Sequence, residues 1–178
     1  MKGVMFMAKI NTIKEYDVAN GPGVRMSVWF QGCPHKCTGC FNEETWDKDG
    51  KGDVYNETHL QKIISILDSS PVHKDLSILG GEPLVNYNIE TTLEICKQVK
   101  EFKPDTKIWI WSGYTFEILN KINSNTFKEL TKYIDVLVDG KFEIENKDLN
   151  LKYRGSSNQR VIDIKKTLKE NKIVLFEN

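Results

Sequence analysis

Leu76-Ser77-Ile78-Leu79-Gly80-Gly81-Glu82-Pro83, followed by the stretch from Ile89 to Phe102 and then by Lys107-Ile108-Trp109-Ile110-Trp111, decides the fold. The first run is short, apolar and stops at paired glycines; the second carries apolar residues at helical spacing and is punctuated by Pro104; the third is again short and apolar. Strand, helix and strand in that order make a parallel unit, because parallel neighbours must be joined by a crossover and a helix is the usual one.

The alternation continues on both sides. Predicted strands are Arg25–Gln31, Leu76–Leu79, Lys107–Trp111, Ile134–Val138 and Lys172–Phe176. Predicted helices are Glu57–Asp68, with Leu60, Ile63, Ile64 and Leu67 on one face, Ile89–Phe102, Phe116–Ile122 and Asp163–Glu170. The class is α/β, and in such folds ligands gather at the carboxyl ends of the strands. The unusual residues fall there repeatedly. The first strand runs into Gly32-Cys33, the second into Gly80-Gly81-Glu82-Pro83, the third into Ser112-Gly113-Tyr114 and the fourth into Asp139-Gly140-Lys141. That convergence marks one edge of the sheet as the site.

With 178 residues and 39% hydrophobic content the chain supports one core, and no repeat, linker or low-complexity tract divides it, so residues 1–178 are read as a single domain. Lys plus Arg and Asp plus Glu each number 25, which gives no overall field for nucleic acid or an anionic membrane. The apolar run Val4 to Met7 is too short and lacks the cleavage site of a signal peptide, and no stretch reaches the roughly 20 apolar residues that cross a bilayer. A cytoplasmic location is expected, where thiols stay reduced and clustered cysteines point to metal or catalysis before disulfides.

Three of the four cysteines lie in Cys33-Pro34-His35-Lys36-Cys37-Thr38-Gly39-Cys40. Three thiolates on so short a loop can turn toward one centre, and iron–sulfur clusters and zinc both accept them. A structural zinc site wants four protein ligands, usually as two separated pairs, and no second pair is present. His35 cannot easily reach the same ion, and Cys96 sits on an apolar helical face beside Leu93 and Ile95, where it reads as a small buried hydrophobe. A cluster and a zinc-stabilised interaction module both remain open on spacing alone.

The spacing Cys-x3-Cys-x2-Cys resembles the radical S-adenosylmethionine superfamily. Gly21-Pro22-Gly23-Val24-Arg25 with Phe30-Gln31-Gly32-Cys33 is similar to the opening of the activating enzymes of glycyl-radical proteins, and Gly80-Gly81-Glu82-Pro83 and Asp139-Gly140-Lys141 resemble two further segments of that group. Tyr153 to Val161 and Cys33 to Asn42 look most like the branch that acts on anaerobic ribonucleoside-triphosphate reductase. The resemblance covers about residues 13 to 165.

It implies a [4Fe-4S] cluster on Cys33, Cys37 and Cys40, with one iron left for S-adenosyl-L-methionine. Gly80, Gly81 and Glu82 would receive the cofactor's amino group, with Ser112, Asp139 and Lys141 as further contacts. Many superfamily members have an aromatic residue before the last cysteine where this chain has Gly39, so adenine contact is expected from the backbone of Gly39 and Cys40 and from Phe41. The implied partners are the anaerobic reductase as protein substrate and a reduced flavodoxin or similar electron donor. Another glycyl-radical enzyme, such as pyruvate formate-lyase, is the alternative target, and whether the chain works as a homodimer or in a complex with the reductase is left open. A partner segment must enter, so an open, partial (β/α) barrel of parallel strands is expected, because a closed one typically needs about 250 residues.

The remaining residues carry plainer readings. Gly80-Gly81 alone would pass for a turn, and Asp139 with Lys141 for a surface pair. Arg25 is read as a pin for the cysteine loop, Trp109 and Trp111 as core, and His59 and His73 as surface residues. The stretch Ser156 to Arg160 is either a capping loop or a contact, and the mixed charges from Glu143 to Lys152 read as a solvated loop.

Overall fold

The computed structural model describes residues 8–69 and 71–177; the apolar run Val4–Met7 lies outside them. Seven strands form one open sheet in the order β3-β1-β2-β4-β5-β6-β7. They are β1 (Lys9–Asp17), β2 (Arg25–Phe30), β3 (Asp53–Val54), β4 (Asp75–Gly80), β5 (Ile108–Trp111), β6 (Val136–Asp139) and β7 (Arg160–Asp163). The helices are α1 (Glu57–Asp68), α2 (Ile89–Phe102), α3 (Phe116–Ile122), α4 (Ser124–Leu130) and α5 (Ile164–Glu170).

β2, β4, β5 and β6 are parallel, as the alternation of strands and helices requires. The expectation of parallel strands throughout is corrected at the margins, where β1 and β3 on one side and β7 on the other run antiparallel. β1 escapes the sequence pattern because register shifts after Ile10 and after Lys14 break its two-residue period. The expected last strand, Lys172–Phe176, is also corrected. Only Leu175 bridges to Ile162, and the strand beside β6 is instead β7.

Every helix buries residues in one core. Ile63 and Leu67 of α1, Leu93, Cys96 and Val99 of α2, Leu119 of α3, Phe127 and Leu130 of α4 and Ile164 of α5 pack with Val28, Ile78, Ile110 and Leu137 of the central strands. Alternate strand residues face the other way, and there Trp109, Val136 and Val138 pack with Trp111, Tyr153 and Phe176. The helices therefore cover one face, while loops cover the second. His59 is exposed, as expected, yet it completes a reciprocal cap with Asn56 at the start of α1.

Arg25 is fully buried on the loop-covered face. Its Nε donates to Ser77 Oγ at 2.6 Å, and its Nη2 donates to the carbonyls of Leu76 at 2.7 Å and Lys107 at 3.0 Å. Asp75 lies 3.4 Å from Nη1. Gly21 has φ of +114° and leaves the room that the Arg25 side chain fills, since a Cβ there would come within 2.8 Å of Cδ. Arg25 is thus a pin, but at the opposite end of β2 from Cys33. It joins β2, β4 and the segment that precedes β5.

At the far side, Arg160 of β7 donates to Asp139 Oδ1 at 2.9 Å and forks onto Glu117 at 3.0 and 2.8 Å. Asp139 also accepts the backbone N–H of Phe116 at 2.8 Å, at the start of α3. The Arg160 hydrogen bond holds the Glu117 carboxyl down at about 2.

Arg25→Ala removes a buried charge with several partners and is expected to lower the unfolding free energy by about 3–5 kcal/mol in denaturant titrations. Glu117 is held below its ordinary value, so its contribution is present above pH 4.5 and fades as pH falls toward 2. The stability difference between the native chain and Glu117→Gln is therefore expected to shrink over that window; a difference constant with pH would contradict the ion pair.

Candidate functional site

The carboxyl ends of the four parallel strands open into a cavity of about 490 Å³. Cys33, His35, Cys37, Gly39, Cys40 and Phe41 line it from the loop after β2, Leu79 to Glu82 from the end of β4, Trp111 to Gly113 from β5 and Gly140 from the turn after β6. That volume lies within the common range for a small-molecule site.

The cysteine loop is held by its own backbone. Gly32 N donates to Thr45 O at 2.7 Å, Cys33 N to Trp46 O at 3.0 Å and Cys40 N to Cys37 O at 3.1 Å. Lys36 (φ +47°) and Gly39 (φ +74°) supply the left-handed turns that fold so short a loop. All three cysteines are free and half-buried. Burial pushes the Cys33 thiol up to about 11, and burial also raises Cys37, opposed by a backbone hydrogen bond at Phe142 and by the charge of Lys141.

Three thiols on one loop are the donor set that a [4Fe-4S] cluster takes. Among the described residues, no three His, Cys, Asp or Glu side chains are grouped as around a single metal. In a cubane cluster each cysteine binds a different iron, so the thiolates need not converge on one point. Trp46, which also lines the cavity, has a buried Nε1–H without an acceptor, the kind of donor that a sulfide-bearing cluster or its cofactor could satisfy. Cys96 is fully buried on α2 with its thiol pushed far up by desolvation, as read from the sequence.

Gly80 and Gly81 reach the cavity because they have no side chains. A Cβ on Gly81 would lie 2.5 Å from Gly32 O, and one on Gly80 would lie 2.7 Å from Phe30 N. Glu82 is fully buried and its carboxylate is occupied. Oε1 accepts from Leu84 N at 2.9 Å and Ser112 Oγ at 2.9 Å; Oε2 accepts from Gly113 N at 2.7 Å and His35 Nε2 at 2.8 Å. Ser112 lines the cavity but spends its hydroxyl proton on Glu82. Asp139 and Lys141 are not among the lining residues, and the Asp139 carboxylate is engaged by Arg160 and Phe116 N.

Sequence reasoning missed several lining residues. Trp111 faces the cavity instead of packing only as core, and its Nε1 donates to Tyr153 O at 2.7 Å. Tyr153 adopts φ of +65°, and Arg154 and Gly155 beside it line the cavity; Gln159 lines it too, from the stretch Ser156 to Arg160, read as either a capping loop or a contact. The segment from Lys147 to Leu151, read as a solvated loop, contributes Lys147, Asp148, Leu149 and Leu151 to the same wall. His35, expected not to reach the ion easily, lines the cavity with its ring on Glu82. The signal that could have found it is its place between two cysteines, with a carboxylate in the motif that ends β4.

The family described as "4Fe-4S single cluster domain" matches residues 19–162. An anaerobic ribonucleoside-triphosphate reductase-activating protein of Vibrio cholerae serotype O1 is 41% identical over 144 residues, covering 80% of this chain and 90% of that protein. Proteins of the same name from phage T4 and Escherichia coli K12 are 37% and 36% identical, covering 82% of this chain and 87% and 92% of their own lengths. With its cysteine loop at the strand ends of a 4Fe-4S single-cluster domain, the chain belongs to the family of anaerobic ribonucleoside-triphosphate reductase-activating proteins.

Proposed function

We propose that this protein activates an anaerobic ribonucleoside-triphosphate reductase as a radical S-adenosylmethionine enzyme, with a [4Fe-4S] cluster on Cys33, Cys37 and Cys40. The observation that carries the reading is the meeting of three free, half-buried thiols with the glycine-rich ends of β4 and β5 at one cavity. When bound, the cluster supplies one electron that splits S-adenosylmethionine into methionine and a 5′-deoxyadenosyl radical, which takes a hydrogen atom from a glycine α-carbon of the partner.

The chain's own residues bind and orient. Cys33, Cys37 and Cys40 would hold the cluster through three of its irons and would leave the fourth for the amino and carboxylate groups of the cofactor's methionine end. The backbone of Gly80 and Gly81, which lines the cavity, would receive that end, and Lys141, close enough to act electrostatically on Cys37, would offer a counter-charge for the carboxylate. Gly39, Cys40 and Phe41, which line the cavity, would border the adenine. Asp139 and Ser112 serve through their neighbours, holding β7 with α3 and holding Glu82.

A glycine is the fitting target because its α-radical is stabilised by two flanking amides and no side chain blocks approach. The open sheet, read as part of a barrel wall, lets the partner's segment in. In this reading residues 1–178 act as one cytoplasmic domain and receive electrons from a reduced flavodoxin or similar donor.

Anaerobically reconstituted protein given S-adenosylmethionine and dithionite is expected to release 5′-deoxyadenosine, with Cys37→Ala reduced to background. Adding the anaerobic reductase should then produce a glycyl-radical signal in electron paramagnetic resonance, and adding pyruvate formate-lyase should not. No nucleoside product from a protein carrying its full complement of iron and sulfide would sink the proposal.

A further inference from the structure

We infer that His35 and Glu82 form a latch that holds the cysteine loop against the ends of β4 and β5, which makes Glu82 a positioning residue and not a ligand of the cofactor's ammonium group. The inference rests on the reading of Cys33, Cys37 and Cys40 as cluster ligands.

Saturation is the first argument. A carboxylate offers about four acceptor sites, and Glu82 fills them with Leu84 N, Ser112 Oγ, Gly113 N and His35 Nε2 at 2.7–2.9 Å. An ammonium arriving there would have to displace a bond that is already buried, with the Glu82 side chain only 1% exposed. The second argument is the fit of the imidazole. Its side chain is 6% exposed, its ring meets Tyr114 edge-on at 4.4 Å between centroids, and a Cβ on Gly113 would run into it. His35 therefore occupies a socket built by Glu82, Gly113 and Tyr114.

Position is the third argument. His35 lies two residues from Cys33 and two from Cys37, so fixing its ring fixes the loop on both sides, as outer partners orient metal ligands generally. The same carboxylate also grips Ser112 and Gly113, so one buried group joins the cysteine loop, the glycine turn and the end of β5. Gly81, which must face the cofactor in the proposed function, is the residue immediately before Glu82 and donates its own N–H to Phe30 O at 2.8 Å.

The test is hydrogen exchange read by mass spectrometry on the full chain, without and with its cluster. His35→Ala is expected to speed exchange of residues 33–41 by about tenfold or more in both forms, as loss of a buried, carboxylate-directed hydrogen bond predicts. Amides of β2, β4 and β5 should stay protected, and His35→Gln should recover part of the loss. Glu82→Gln discriminates between the two roles: as a latch residue it loosens the loop in cofactor-free protein, whereas as an ammonium ligand it would leave that protein unchanged and weaken only cofactor binding. Gly113→Ala, which displaces the imidazole without removing it, gives a second route to the same local loosening. Unchanged exchange over residues 33–41 in these variants overturns the latch, and so does equal loss across the whole sheet. Because the metal-free readout needs no chemistry, the latch can hold while the cofactor proposal fails, and the reverse.

Discussion

The site depends on the register of β2 against β4. Six residues pair in step, from Arg25 with Asp75 to Phe30 with Gly80. The ladder then continues past the strands, through Gly81 N to Phe30 O and Glu82 N to Gly32 O, both at 2.8 Å. The glycine turn and the start of the cysteine loop are therefore the last rungs of the sheet, and not loops laid upon it. A slip by one residue would carry Met26, Val28 and Phe30 to the opposite face and separate Cys33 from Gly81 together. Close approach also demands the glycines themselves, because neither Gly80 nor Gly81 has room for a Cβ against Phe30 and Gly32.

That register is enforced from the opposite end of the strands. Parallel strands are usually covered on both faces by helices, but here all five helices lie on one face and the second carries Arg25, Ser27 and Ser77, all fully buried. Burial lowers Arg25 to about 10, opposed by the charge of Asp75, so it remains a cation at neutral pH. Its hydrogen bonds close the carbonyls of Leu76 and Lys107 at the entry edge, while the exit edge of the same strands stays open as the cavity. One end of the sheet is sealed by charge and the other is free to receive a ligand.

Legibility followed the strength of local pattern. α1, α2 and α3 match their expected bounds residue for residue, because each carries apolar residues at helical spacing and Pro104 follows the end of α2; in the structure Asn56 and Thr115 cap α1 and α3. The four parallel strands are short, mostly apolar runs that end at glycine or polar turns, and each lies within two residues of its expected bounds. β1 and β7 were not: β1 is broken by register shifts, and β7 spans only Arg160–Asp163, with its first residue given to an ion network and its last to the cap of α5. α4 follows α3 with only Asn123 between them, too short a break for periodicity to mark. At the site, the cysteines and glycines could be read because their chemistry is local. The wall made by Trp111, Tyr153 and Arg154 could not, since it forms only when a segment more than 40 residues later folds back on β5.

The carboxylates Glu82 and Asp139 carry structural bonds that a motif does not announce, and the reason is energetic. Glu82 and Asp139 stand at strand ends, surrounded by backbone N–H groups that no longer have a strand partner. A buried carboxylate in such a place is tolerable only when fully hydrogen-bonded, and the surrounding donors need it as much as it needs them. Glu82 takes two backbone N–H groups, and Asp139 takes one together with Arg160. Their charge is spent before any ligand arrives. The strand ends themselves bring sulfur, glycine backbone and the Trp111 ring to the cavity, while the charged and polar side chains of Lys147, Asp148, Arg154 and Gln159 come from the segments that fold over it. Glu82 and Asp139, by their bonds, are built into the frame that joins the strand ends to the segments following them.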